Sequence, residues 1–148
     1  RWRRERRSRG PRHKRSRMAR ARGETSRKGV KVQVSARFLE ERSNPHTNKF
    51  VFAYTVTITN TESVPVQLMS RKWIIKDADG DIETVEGPGV VGEKPVLQPG
   101  QSFEYTSFCP LETPFGTMEG HYNMVSADGS RFQAKIAPFG LATPGALN

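Results

Sequence analysis

VKVQVSARF, residues 30–38, decides the fold class. Val30, Val32, Val34, Ala36 and Phe38 alternate with Lys31, Gln33, Ser35 and Arg37, and a period of two gives an extended strand one apolar and one polar face. The next run, FVFAYTVTITN (50–60), repeats the pattern with Phe50, Phe52, Tyr54, Val56 and Ile58 on one side. Between the two, ERSNPHTNK (41–49) reads as a connecting loop, because Asn44-Pro45 favours a turn.

Working outward, Val66–Lys76 is a third apolar stretch whose phase shifts between Leu68 and Trp73. A phase shift inside a strand predicts a bulge, or a strand that passes from one sheet to the other. Asp77-Ala-Asp-Gly-Asp81 then closes a hairpin into Ile82–Glu86, since Asp and Gly tolerate positive φ. Val96-Leu97, Phe103–Cys109, Met118–Ser126 and Ser130–Ala137 follow, separated by Gln98-Pro-Gly100 and Ala127-Asp-Gly129. The sum is seven or eight short strands with turn chemistry between them, an all-β antiparallel sandwich. Composition agrees: 12 Val against 6 Leu, with 8 Phe and 11 Thr, suit a pleated, half-buried surface.

The formal charge of +9 on 148 residues points to nucleic acid until the charges are located. Residues 1–17 hold nine Arg and Lys14 against Glu5, which accounts for the whole excess and leaves 18–148 balanced. Residues 1–28 are therefore expected to be a disordered Arg-rich tail, 29–141 the folded domain and 142–148 a short C-terminal tail. Met18 is an in-frame start, so 1–17 reads as an upstream extension, or else as a basic arm for nucleic acid. No stretch approaches ~18 consecutive apolar residues, so no membrane helix is expected. One cysteine, Cys109, excludes an intrachain disulfide and makes the cytoplasm the expected compartment.

Several strings suggest chemistry. Gly87-Pro-Gly89-Val90-Val91-Gly92 is formally G-x-G-x-x-G, but Glu93-Lys94-Pro95 starts no amphipathic helix, so a dinucleotide-binding unit is not expected. A glycine-rich loop can still offer successive N–H groups to an anion. The candidate loop is thus Gly87, Gly89, Val90, Val91 and Gly92, with Arg71 and Lys94 as cationic helpers; its alternative is a tight connection in which glycine supplies backbone angles. Asp77-x-Asp79-x-Asp81 starts like a calcium loop, but Gly80 precedes the third acid and Pro88 occupies position twelve, so it is read as a turn. His13, His46 and His121 lack ligand spacing, and no metal site is expected. No catalytic residue is nominated: there is no G-x-S-x-G elbow, and Cys109 before Pro110 reads as core. Trp73 also reads as core rather than as a base-stacking platform.

Taken in order, FAYTVTITN (52–60), VQLMSRKWIIKDADG (66–80), ETVEGPGVVGEKPVLQPGQSFEYTS (83–107), GTMEGHYNMVSADG (116–129) and RFQAKIAPFGL (131–141) resemble the ApaG family. The resemblance covers about 30–141 and rests on several separated motifs rather than on the glycine string alone. It implies an immunoglobulin- or fibronectin type III-like sandwich, with no established reaction, catalytic residue or cofactor. Related domains in eukaryotic F-box and polymerase-interacting proteins imply binding of a protein partner. The family's glycine motif implies the alternative, pyrophosphate or a dinucleoside polyphosphate at Gly87, Gly89 and Gly92.

Overall fold

The computed structural model describes residues 29–146 in full and, before them, only the backbone of Glu5–Arg7 and Ala21–Arg27. In chain order the strands are β1 (Glu5–Arg7), β2 (Ala21–Arg27), β3 (Val30–Phe38), β4 (Phe50–Asn60), β5 (Val66–Asp77), β6 (Ile82–Pro88), β7 (Val96–Leu97), β8 (Ser102–Leu111), β9 (Phe115–Ser126) and β10 (Arg131–Ala142). Two 3₁₀ turns, Glu40–Arg42 and Pro45–Thr47, occupy the loop expected at 41–49. β3–β10 are the strands anticipated from alternation. The segment 1–28, expected to be disordered, falls mainly outside the described residues; β1 and β2 are its described parts.

The strands form two antiparallel sheets, β1-β8-β4-β3-β2 and β10-β9-β5-β6, with β7 pairing β5 beside β6. Burial explains the pairing. β3 and β4 turn Val30, Val32, Val34, Tyr54, Val56 and Ile58 inward, all 5% exposed or less. Their other faces carry Lys31, Gln33, Thr55, Thr57 and Thr59, and Thr55 Oγ1 meets Thr106 Oγ1 across the sheet at 2.9 Å. Between the sheets lies an aromatic cluster around fully buried Trp73, whose ring meets Tyr54, Tyr122 and Phe139 at 5.2–6.4 Å. The sheets are also joined by a buried hydrogen bond between the hydroxyls of Tyr105 and Tyr122, 2.5 Å apart. Cys109 is buried in the same core.

The phase shift in the third stretch is a bulge: the β5–β9 register slips between Leu68 and Ser70. One extra residue, Met69, moves the following inward positions to Arg71, Trp73 and Ile75 while Ser70, Lys72 and Ile74 face out. A second slip, between Ile136 and Phe139 on β10, was not anticipated from alternation. It spans Ala137-Pro138 and keeps Phe139 and Leu141 buried after Ile136. Among the described residues no helix is long and apolar enough to cross a membrane.

Candidate functional site

The glycine string begins where β6 ends, on an edge of the second sheet. Counting outward from the Asp77–Asp81 hairpin pairs Arg71 with Gly87 and Ser70 with Pro88. The Arg71 side chain lies across Gly87, where a Cβ would stand 3.1 Å from Nη1. Its Nη1 donates to the carbonyl oxygens of Pro88 (3.2 Å) and Gly89 (2.9 Å). The first glycine therefore makes room for a guanidinium that holds the loop's own carbonyls.

The second and third glycines have different reasons. Gly89 has φ +60°, and a Cβ there would collide with the Glu93 carbonyl oxygen. Its N–H donates to Met69 O at 2.8 Å, so the loop is moored on the bulge of β5. Val90, fully buried, and Glu93 exchange both backbone hydrogen bonds at 2.8 Å. Between them Val91 (φ +44°) and Gly92 (φ +79°) form a two-residue turn of the I′ kind, which needs positive φ at both centres. Gly92 meets that need without strain, whereas a β-branched valine does not.

Lys94 is also brought to the loop: its Cγ lies 3.3 Å from where a Gly89 Cβ would stand, and its carbonyl accepts from Gln67 Nε2 at 3.0 Å. The structure thus gathers all seven residues singled out in the sequence, Arg71, Gly87, Gly89, Val90, Val91, Gly92 and Lys94, at one corner. Three of the loop's N–H groups, those of Gly89, Val90 and Glu93, are spent on backbone carbonyls. What the motif had not disclosed was the mooring on Met69 and the strain at Val91.

That strain gives a first expected result. A valine held in the left-handed region stores roughly 1–3 kcal/mol, and an asparagine tolerates the region better. Val91→Asn should therefore raise the thermal midpoint by a few degrees, about 1 kcal/mol after the lost packing of a half-buried side chain is subtracted. Calorimetry of the two chains checks it; a lower midpoint would mean that packing of Val91 outweighs its backbone strain.

The other clusters have local explanations. Asp77, Asp79 and Asp81 bring one carboxylate oxygen each within 4.8 Å of the others. Asp77 Oδ1 accepts from the N–H groups of Asp79 (2.9 Å) and Asp81 (3.0 Å), which is turn chemistry. Asp128, in the β9–β10 turn, is held below the ordinary carboxylate range, chiefly by the Ser130 hydroxyl at 2.6 Å and then by the Ser130 N–H. His121 sits half-buried on the outer face of β9, opposite Lys72 on one side and Lys135 on the other. His46 lies in an exposed 3₁₀ turn, and His13 lies outside the described residues.

A groove of about 710 Å³ opens at the end of the sandwich where the starts of β4 and β6 meet the ends of β5 and β8. Asp77, Asp81, Glu83 and Glu112 line it, with Lys49 as its one basic wall residue among those described, over Pro110 and Leu111.

The sequence and the fold match known proteins closely. The ApaG domain model matches residues 40–126. A protein ApaG from Anaeromyxobacter dehalogenans (strain 2CP-1 / ATCC BAA-258) is 56% identical over 120 residues, 81% of this chain and 94% of the relative. One from Pseudomonas putida (strain W619) is 48% identical over 119 residues, 80% of this chain and 94% of its own. A crystal structure of a Bordetella pertussis protein named ApaA superposes with a TM-score of 0.77 at 51% identity, covering 78% of this chain and 94% of that one.

Proposed function

Because the chain belongs to the ApaG domain family, we propose that it is a non-enzymatic binding module that takes an extended segment of a protein partner along the β6 edge. The observation that carries the reading is the edge itself. Every β6 residue is exposed or half-exposed, and no described strand pairs its outer side. Ile82 and Val96, two of the three large exposed hydrophobics among the described residues, lie along this edge with the glycine loop between them. An unpaired strand edge is a template for strand addition, with backbone bonds for affinity and neighbouring side chains for selection. In the same reading, the three strands β3, β4 and β8 opposite β6, β5, β9 and β10 are a fibronectin type III-like set. A single buried thiol suits the reducing cytoplasm.

Backbone alternation supplies a discriminating variant. Asp77 N–H donates to Asp81 O and Gly89 N–H to Met69 O, so the odd-numbered residues of β6 bond β5. The N–H of Thr84 therefore faces outward, and Thr84→Pro removes an edge donor without touching the β5–β6 ladder. Purified partner, first captured from a bacterial lysate on the wild-type chain, should bind Thr84→Pro at least about tenfold more weakly at nearly unchanged thermal stability. Equal affinities would remove β6 as the docking edge.

A second reading, pyrophosphate or a dinucleoside polyphosphate at Gly87–Gly92, draws on the two cations, Arg71 and Lys94, set against the loop. Against it, Arg71 Nη1 and three loop N–H groups already bond loop or bulge carbonyls. Pyrophosphate titration followed by amide NMR separates the readings. Saturating shifts confined to Gly87–Gly92 favour the anion; flat amides to millimolar concentration leave the protein-binding reading alone.

A further inference from the structure

Three cross-strand rows reach the β6 edge on the outer face of the second sheet. Lys76 stands opposite Ile82, Ile74 opposite Thr84 and Lys72 opposite Glu86. The last row continues into the sheet, with His121 opposite Lys72 and Lys135 opposite His121. Three basic side chains thus run outward to one carboxylate at the edge. Lys72 Nζ lies 3.7 Å from Glu86 Oε2, with the two side chains 38% and 64% exposed. So exposed a pair is weak, and Glu86 keeps its open side for a second cation.

The backbone of β6 presents the same three residues. Its odd-numbered positions bond β5, so Ile82, Thr84 and Glu86 turn their N–H and C=O groups to the open side. Each is a residue that an added strand would meet directly, in a hydrogen-bonded pair. Pro88 has the same parity but no N–H to offer, so pairing ends before it. A second copy of β6 is a poor occupant. Ile82–Pro88 holds Glu83 and Glu86 and no cation, so two such strands would bring carboxylates together with nothing to offset them.

The geometry points to a partner strand with a basic residue opposite Glu86, a β-branched residue opposite Thr84 and an apolar residue opposite Ile82. This rests on the β6 reading and names the chemistry of its partner. The basic residue places Glu86 between two cations, and the apolar residue covers Ile82, which is 64% exposed. A β-branched side chain suits the pleated position beside Thr84. Every described pair in this sheet is antiparallel, and the added strand continues that pattern. The partner therefore reads, from its N-terminus, basic-x-β-branched-x-apolar.

The test titrates the isotope-labelled full chain with synthetic peptides blocked at both ends and follows amide NMR shifts. The peptide SRSVSIS should shift Thr84 and Glu86 and saturate with a Kd on the order of 1 mM or tighter. Its counterpart SESVSIS should bind at least about threefold more weakly, and Glu86→Lys, an exposed substitution, should reverse that preference. The reversed order, SISVSRS, should also bind at least about threefold more weakly. Thr84→Pro should abolish the shifts from all three. No saturation with SRSVSIS would overturn the partner chemistry. Equal binding of SRSVSIS and SESVSIS would overturn the basic selection while leaving the edge, if Thr84→Pro still removes both. Equal binding of SISVSRS would overturn the antiparallel direction. The edge itself falls by a different result, a captured partner indifferent to Thr84→Pro.

Discussion

Gly120→Ala should be the most damaging single methyl group that can be added to this protein. Gly120 sits in β9 opposite Trp73, and a Cβ built there collides with the Lys72 carbonyl oxygen, with Lys72 C at 3.0 Å and Trp73 Cα at 3.2 Å behind it. All three obstacles are backbone of the paired strand, so relief requires β5 and β9 to separate where they cover the core. A loss on the order of 3 kcal/mol or more is expected, a large part of the roughly 5–15 kcal/mol that holds a typical domain folded. Urea denaturation measures it. Gly140→Ala is the matched control: nothing lies within 4 Å of its Cβ position, and it should change stability by under about 0.5 kcal/mol. Equal midpoints for the two variants would show that the β5–β9 pair yields more easily than its hydrogen-bond ladder suggests.

Trp73→Ala is the second large effect. The indole is fully buried and makes edge contacts with Tyr54, Tyr122 and Phe139 from both sheets. Removing it should leave a cavity between the layers and cost about 3–5 kcal/mol, lowering the thermal midpoint by roughly 10 °C or more. Trp73→Phe refines the prediction, because Nε1 is buried without a hydrogen-bond partner among the described residues. Phenylalanine keeps most of the ring contacts and removes an unsatisfied donor worth about 1–3 kcal/mol, so it should cost far less than alanine. If Phe proves as damaging as Ala, the indole N–H is satisfied by one of the surrounding ring faces.

The two variants also mark what can be read from residues alone. Trp73 was legible as core from its place in an apolar strand. Gly120 was not legible as a steric requirement, because its obstacle is the backbone of a strand 48 positions earlier in the chain. The candidate loop falls between these cases. Gly89 and Gly92 follow from local turn geometry, but Gly87 follows from Arg71, a neighbour only through the β5–β6 ladder. That neighbour could have been found by counting outward from the Asp77–Asp81 turn, since a hairpin fixes its own register. The bulge at Met69 announced itself as a phase shift. The slip at Ala137-Pro138 carries the same kind of signal, an apolar phase that passes from Phe132, Ala134 and Ile136 to Phe139 and Leu141 across a proline.

The amino-acid sequence by itself determined strands β3–β10, most of their buried faces, the hairpin turns and the confinement of the excess charge to residues 1–17. Each of these is written in neighbours one or two positions apart, where alternation and turn chemistry act. Only the tertiary structure decided which edges stay open, that Arg71 and Lys94 flank the glycine loop, and that Val91 carries its strain. It also decided that Asp77, Asp81, Glu83 and Glu112 meet around one groove at an end of the sandwich. These depend on register between strands distant in the chain, and register is set by packing the whole core at once rather than by any single stretch.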